Sequence, residues 1–519
     1  MNETPPPKPD NDNGNAPGGS SDSVYSGTRS AKTTFSETTT QTKETYISST
    51  TSENAVLVTK GKVNLVNPTI SKTGDESSEE SDFYGTNAAV LATSGSIKIT
   101  GGVIETNASH ANAVFAYNDG SIELSDTSIK TSGNNSGGIM VTGGGSLTAN
   151  NISVETTGNS SAAIRSDRGG GDLVVKGGSF KTSGMGSPAI YSTANISVSD
   201  AILTSTSSEG VVIEGSNSVY LESVNLTDTN VTLNGNSETY KNIFIYQSMS
   251  GDAKEGTGVF TANNSSFLTN QGDTFFITNT TAKIVLSGNS FVNTDAASAF
   301  LRAQSGKWGT TGKNGGTVDL TLDDQVVEGD IVLDEISTLT LTLKNDSHYM
   351  GAINTKNIAK SISVSISEDS TLVLAGDTYL TSLDNAIENN NNIYSNGHTL
   401  YVDGEKIVIN ESEAPELPEV NVPTVEETIT VDDETVTTGE ETSSAYSPSI
   451  IIALSICGAL IIGLIVFAIL KLRKKNPEIQ QSTINYTGNI PYDPFAANSP
   501  NAPENQNFNP DDPYKGQQN

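Results

Sequence analysis

Residues 139–163 read IMVTGGGSLTANNISVETTGNSSAA, and residues 164–189 continue IRSDRGGGDLVVKGGSFKTSGMGSPA. Set one above the other, the two stretches match in kind. Each opens on an apolar strand (Ile139, Ile164), has a second at Leu147 or Leu173-Val174-Val175, and a third at Ile152-Ser153-Val154 or Phe180, with Gly, Asn and Ser between. Working outward, the same unit opens at Val90, Val114, Ile190 and Ile213, so successive starts from Val90 are 24, 25, 25, 26 and 23 residues apart. Apolar-polar alternation over a few residues marks a half-buried strand. Three such strands in about 25 residues is the length of one coil of a parallel β-helix. Stacked coils pair each strand with its copies above and below and leave one narrow axial core, suited mainly to Val, Ile, Leu and Ala. Gly and Asn at the corners accept left-handed backbone angles that β-branched residues resist.

The pattern runs over residues 51–410. An earlier coil opens at Val56, 34 residues before Val90, and the intervening stretch holds the acidic loop 74–82. Ile245, Ile277 and Leu301 continue the first-strand series at steps of 32, 32 and 24, which predicts protruding loops rather than a new domain. Strict alternation at 318–322, 339–343 and 362–366, and the β-rich run 371–374, extend the rod. Segments 400–402 and 407–409, with Asp403-Gly404 between them, predict a hairpin capping its end. Roughly 14 coils at ~4.8 Å predict a rod of ~65 Å. The competing all-β fold, an array of sandwiches, requires longer strands and hairpin turns every ~10 residues.

Residues 1–50 are rich in Pro, Gly, Ser, Thr and Asn and read as a disordered leader. Residues 448–470 include the 21-residue uncharged run IIIALSICGALIIGLIVFAIL at 450–470. As a helix this run is ~31 Å long and matches a hydrocarbon core of ~30 Å, so it reads as a single transmembrane α-helix. Lys471, Arg473, Lys474 and Lys475 follow it at once, whereas 411–447, an acidic Pro/Glu/Thr stalk, carries 11 acidic residues and no basic one. The positive-inside rule then places the β-helix outside the plasma membrane and the disordered tail 471–519 in the cytoplasm. No basic segment followed by an apolar stretch opens the first 30 residues, so this topology predicts a signal encoded upstream of Met1 or already removed.

Charge and composition exclude other classes. With 60 Asp plus Glu against 28 Lys plus Arg, the net charge is −32, opposite to the basic footprint that nucleic acid demands. One Cys excludes a disulfide scaffold, and His110, His348 and His398 are too scattered for a structural zinc site, so no cofactor or metal is expected. Twelve Asn-x-Ser/Thr sites, from Asn107 to Asn410, permit surface glycosylation.

The elements Phe115-Ala116-Tyr117-Asn118, Phe260-Thr261-Ala262-Asn263, Phe276-Ile277-Thr278-Asn279 and Gly137-Gly138-Ile139 resemble the Phe-x-x-Asn and Gly-Gly-x-aliphatic repeats of polymorphic membrane proteins. More broadly, residues 50–409 resemble the right-handed parallel β-helix, or pectate-lyase-like, microbial surface proteins and adhesins. The resemblance implies a right-handed coil and a surface role. Autotransporters of this kind end in a β-barrel, and this chain departs from them by its single apolar run.

By alternation, the residue after each first-strand start points outward on one sheet, which predicts a single exposed column. Its members include Arg165, Tyr191, Glu214, Tyr246 and Arg302, suited to a glycan through aromatic stacking and hydroxyl hydrogen bonds. The alternative is a set of ladder contacts in which Arg165 pairs with Asp167 or Glu214. Trp308, in a Gly-rich loop, either stacks on a ligand or anchors that loop to the rod. No catalytic residue is assigned. The function that fits is adhesion to glycans or to host or neighbouring cells. The alternatives are a membrane-tethered polysaccharide lyase or glycosidase, identified by carboxylates converging in a groove, and an inert, antigenically variable coat.

Overall fold

The computed structural model describes residues 25–233 and 239–420. They form a parallel β-solenoid of about 15 turns. Stacking is in register. Ile139 lies between Val114 and Ile164, Leu147 between Ile122 and Leu173, and Val154 between Ile129 and Phe180, each on its own sheet of the coil. The inward members of these rungs merge into one core running from Tyr46 to Leu400.

Corners follow the expected chemistry. Asn151, at φ 50°, and Gly177, at φ 70°, turn the chain between the second and third sheets of successive coils. A buried serine ladder holds another corner, where Ser136 N donates to Ser161 Oγ and Ser161 N to Ser187 Oγ, both at 2.9 Å. The core admits more aromatic bulk than expected, because rungs ~4.8 Å apart match ring-stacking distances. Phe267 and Phe291 lie nearly parallel with centroids 4.7 Å apart, and Phe260, Phe275 and Phe300 pack edge-on around them.

Four boundaries differ from the sequence reading. The solenoid begins at strand Ser30–Phe35 and continues through Thr39–Thr42 and Thr45–Ser48, inside the stretch taken as a leader. These strands alternate with Thr rather than large apolar residues, and among the described residues they pair with a turn on one side only. Val211, not Ile213, stacks on Ile190, and Leu301 stacks on Phe275 rather than Ile277. Within the apolar run Val211-Val212-Ile213 either register keeps the inward face apolar. The terminal hairpin pairs Leu400–Val402 with Glu405–Lys406 through Asp403 (φ 50°) and Gly404 (φ 79°), earlier than the expected second arm.

Excursions leave the corners on either side of the first sheet. The stretch after Lys72 carries the short helix α1 (Glu79–Tyr84), whose start is capped by Ser78 accepting from Glu80 N and whose end is Gly85 at φ 68°. Among the described residues no helix is long and apolar enough to cross a membrane. The apolar run 450–470 and the tail lie outside the described residues.

Leu173 is fully buried at the middle of the column. Leu173→Ala is expected to lower stability by ~2–5 kcal/mol in urea unfolding. Because each turn contacts only its neighbours, hydrogen exchange should rise first in the flanking turns; uniform acceleration along the whole solenoid would contradict that coupling.

Candidate functional site

The true register rearranges the outward column. Leu91, Phe115, Met140, Arg165, Tyr191, Val212, Phe244, Phe276 and Arg302 stack in one line, and Glu214 and Tyr246 stack on each other two residues further along their strands. A two-residue shift preserves the face, so all of these side chains point away from the core, as alternation predicts. Most of them do not reach solvent; Phe244 and Arg302 are half-buried, the Arg302 side chain keeping 23% exposure. This corrects the expectation of an exposed column: Arg165 is 6% exposed, Glu214 1% and Tyr246 3%.

Three excursions supply the cover, those bearing α1, Asp252 and Trp308. The loop bearing α1 lays Tyr84 and Ala88 over Leu91, Phe115 and Met140, joined by Tyr25. Gly85 sits where a Cβ would come within 2.9 Å of both Phe115 and Leu91, so only glycine brings the helix end that close. Further along, Trp308 packs on Tyr246 with centroids 5.9 Å apart, beside Tyr191, Val212 and Phe244. Its carbonyl accepts from Asn314 Nδ2 at 2.9 Å. Of the two roles set out for Trp308, loop anchor is the one this packing fits.

Beneath the cover, Glu214 is the hub. Its Oε2 accepts from Tyr191 OH at 2.5 Å and from Tyr246 OH at 3.1 Å, and its Oε1 accepts from Ser248 Oγ. Burial pushes the Glu214 carboxyl up, against the lowering effect of the Ser248 and Tyr191 hydroxyls. Burial, then the neighbouring Glu214 charge, pushes Tyr191 well above its ordinary range. Arg165 pairs with Asp167, Nη2 to Oδ2 at 3.2 Å, which is the ladder contact set out as an alternative. Asp167 Oδ1 accepts from Arg168 N at 2.9 Å. Burial is the main force on Asp167, opposed by Arg165 and reinforced by Asp252, and it is pushed up to about 7. Arg302 stands apart from this cluster, in a bidentate pair with Asp273 at 2.6 and 3.1 Å.

Sequence reasoning missed the piece that ties the cover together. The Arg168 guanidinium lies 3.7 Å over the Phe83 ring and bonds Asp252 through Nε, so one side chain bridges two excursions from turns far apart in sequence. Only the Gly-rich stretch around it, Arg165 to Gly171, signalled a tight turn there. Chemically the arrangement is a closed network. Both oxygens of Glu214 and both of Asp167 are engaged by the protein itself. Among the described residues no group of three or more His, Cys, Asp or Glu could hold a metal ion. Compared with family models, curated proteins and solved structures, the chain finds no match.

The Asp167 environment gives a signed pH dependence. An ordinary aspartate titrates near ~4, and folding raises this one to about 7, so the neutral acid is the form the fold favours. That contribution is complete below about pH 4 and is lost as pH rises through about 7. Thermal unfolding midpoints should therefore fall more steeply from pH 4 to 7 in the natural chain than in Asp167→Asn; parallel profiles would contradict the assignment. Trp308→Ala should open the cover, seen as faster proteolysis between residues 305 and 315 while the strand signal in circular dichroism is kept.

Proposed function

We propose that the chain is an adhesin-like cell-surface protein, anchored by residues 450–470 and held off the membrane by the stalk 411–447, whose solenoid binds glycans or the surfaces of host or neighbouring cells. The observation that carries this reading is the division of the solenoid's surface. The cluster of buried aromatic, acidic and basic side chains around Arg165 and Glu214 is sealed by the chain's own loops, while the second and third sheets present long outward rows of Ser, Thr, Asn, Lys and Glu. A repeated, flat, polar surface suits many weak contacts summed along a rod. The apolar run with basic residues after it and an acidic stalk before it supports the orientation.

The engaged carboxylates weigh against the lyase or glycosidase alternative, because a general acid or base needs an open approach to substrate. Of the six residues first expected to form a glycan site, all but Arg302 serve, on this reading, as the framework of the cover.

The test uses the full chain in phosphatidylcholine vesicles, offered to a panel of immobilised glycans and to intact cells. Binding is expected, and Arg165→Ala/Tyr246→Ala should bind as well per folded molecule while unfolding at lower temperature. Loss of binding in that variant with its fold intact would move the site back to the covered column. Release of unsaturated products from a polyuronate by the natural chain would replace the adhesive reading with an enzymatic one.

A further inference from the structure

Along the outer face of the third sheet, Glu105, Lys130, Glu155 and Lys181 occupy the same position on four consecutive turns. The charge alternates at every rung, in a chain that has more than twice as many acidic as basic residues. Glu105, Lys130 and Lys181 are exposed and Glu155 is half-buried. Beside them, on the same four rungs, stand Val103, Ser128, Ser153 and Ser179, all uncharged. One sheet away Lys98 and Glu123 close into an ion pair; among the described residues none of the four charges in this column does so.

An alternating column of four pairs all four of its charges with a second copy only when reversed, the arrangement that two-fold symmetry closes. If a second copy lies face to face and antiparallel, centred between Lys130 and Glu155, Glu105 meets the other copy's Lys181 and Lys130 meets its Glu155, twice over by symmetry. Parallel pairing in register, or an antiparallel slip of one rung, sets like charges opposite each other, which charge repulsion rejects; a parallel pair slipped by one rung joins only three unlike pairs and leaves the contact unclosed by symmetry. Continuing outward in the same register, Ser71 faces Thr204 and Ile47 faces Thr227, with no charge opposed.

We propose that this face of the third sheet is a homophilic interface through which two copies pair antiparallel over their N-terminal turns. The partner is thus a second copy of this chain. The column lies in the N-terminal part of the solenoid, and the chain leaves the solenoid at the opposite, C-terminal end. Overlap of N-terminal turns in antiparallel order sends the two C-termini in opposite directions. With residues 450–470 as anchor, which rests on the function proposed above, such a pair joins two facing membranes rather than two neighbours in one membrane. Alternation also spares a single chain from like charges on adjacent rungs, so the test must separate contacts between copies from stability within one.

Full chains made without glycans and held in phosphatidylcholine vesicles provide it. Natural vesicles should cluster at low ionic strength and disperse as salt is raised. Vesicles carrying Lys130→Glu/Lys181→Glu should not cluster, nor should those carrying Glu105→Lys/Glu155→Lys. A mixture of the two variants should cluster again, which no loss of folding can mimic. A carbodiimide link between Glu105 and Lys181 should form only between differently tagged copies, since within one chain the two lie three rungs, ~14 Å, apart. Clustering that is unaffected in both variants, or absence of the Glu105–Lys181 link between copies, overturns the proposal. The link forming in detergent while natural vesicles stay dispersed upholds the pairing and overturns the membrane-bridging role.

Discussion

Everything in this molecule depends on one repeated constraint: each strand must pair, parallel and in register, with its counterpart one turn before and one turn after. At a rung spacing of ~4.8 Å, whatever occupies a position sits directly over its equivalent. Inward positions therefore select residues that stack on themselves, and Val154, Ile129 and Phe180 or Phe267 and Phe291 do so. Corner positions select backbone tolerance or a side chain that can hydrogen-bond its own copy, hence Asn151 over Gly177 and the line from Ser136 to Ser187. Outward positions inherit the same geometry without choosing it, so any bias in surface composition becomes a column.

The two outward surfaces use that geometry in opposite ways. Beside the first strands the column is large and apolar or aromatic, and the chain spends its excursions covering it, through α1 on one side and Trp308 on the other. Such a cover removes aromatic surface from water at roughly 25 cal/mol per Å². Burial favours partners for polar groups, and the Glu214 hub meets that three times, whereas Arg165 is bonded through Nη2 alone, its Nε and Nη1 without a partner within the protein. On the third sheet the outward column is charged, flat and uncovered. A surface left open along a rod is where recognition is to be sought, and a cluster sealed by its own loops is where stability is held.

Much of this was legible beforehand. The spacing of Val90, Val114, Ile139 and Ile164 is the pitch of the coil, and the long steps after Val56 and Ile213 are its excursions. Where reading failed, the reasons are physical. In Val211-Val212-Ile213 three apolar residues in a row carry no alternation, so register is settled by pairing with distant strands. The first turn is written in Thr and Ser, among the described residues it pairs with a turn on one side only, and a composition rule mistakes that for a leader. Burial of the Arg165 column was illegible because it is imposed by Phe83, Asp252 and Trp308, brought from turns on either side. The Arg165–Asp167 pair, two residues apart on one outward face, was readable for the converse reason.

Every column of this solenoid requires strict register over many turns. Ser146 and Thr340 lie 194 residues apart yet occupy one outward column of the second sheet, separated by seven rungs through Asp172, Asn195, Ser218, Val259, Lys283 and Asp319. Spin labels at these two positions, with Cys457 replaced by Ser, can be read by pulsed dipolar spectroscopy in the full chain. A single narrow distance distribution centred at ~34 Å is the result in-register stacking predicts. A broad distribution, or a centre shorter by two rungs or more, would contradict it and with it every column described above.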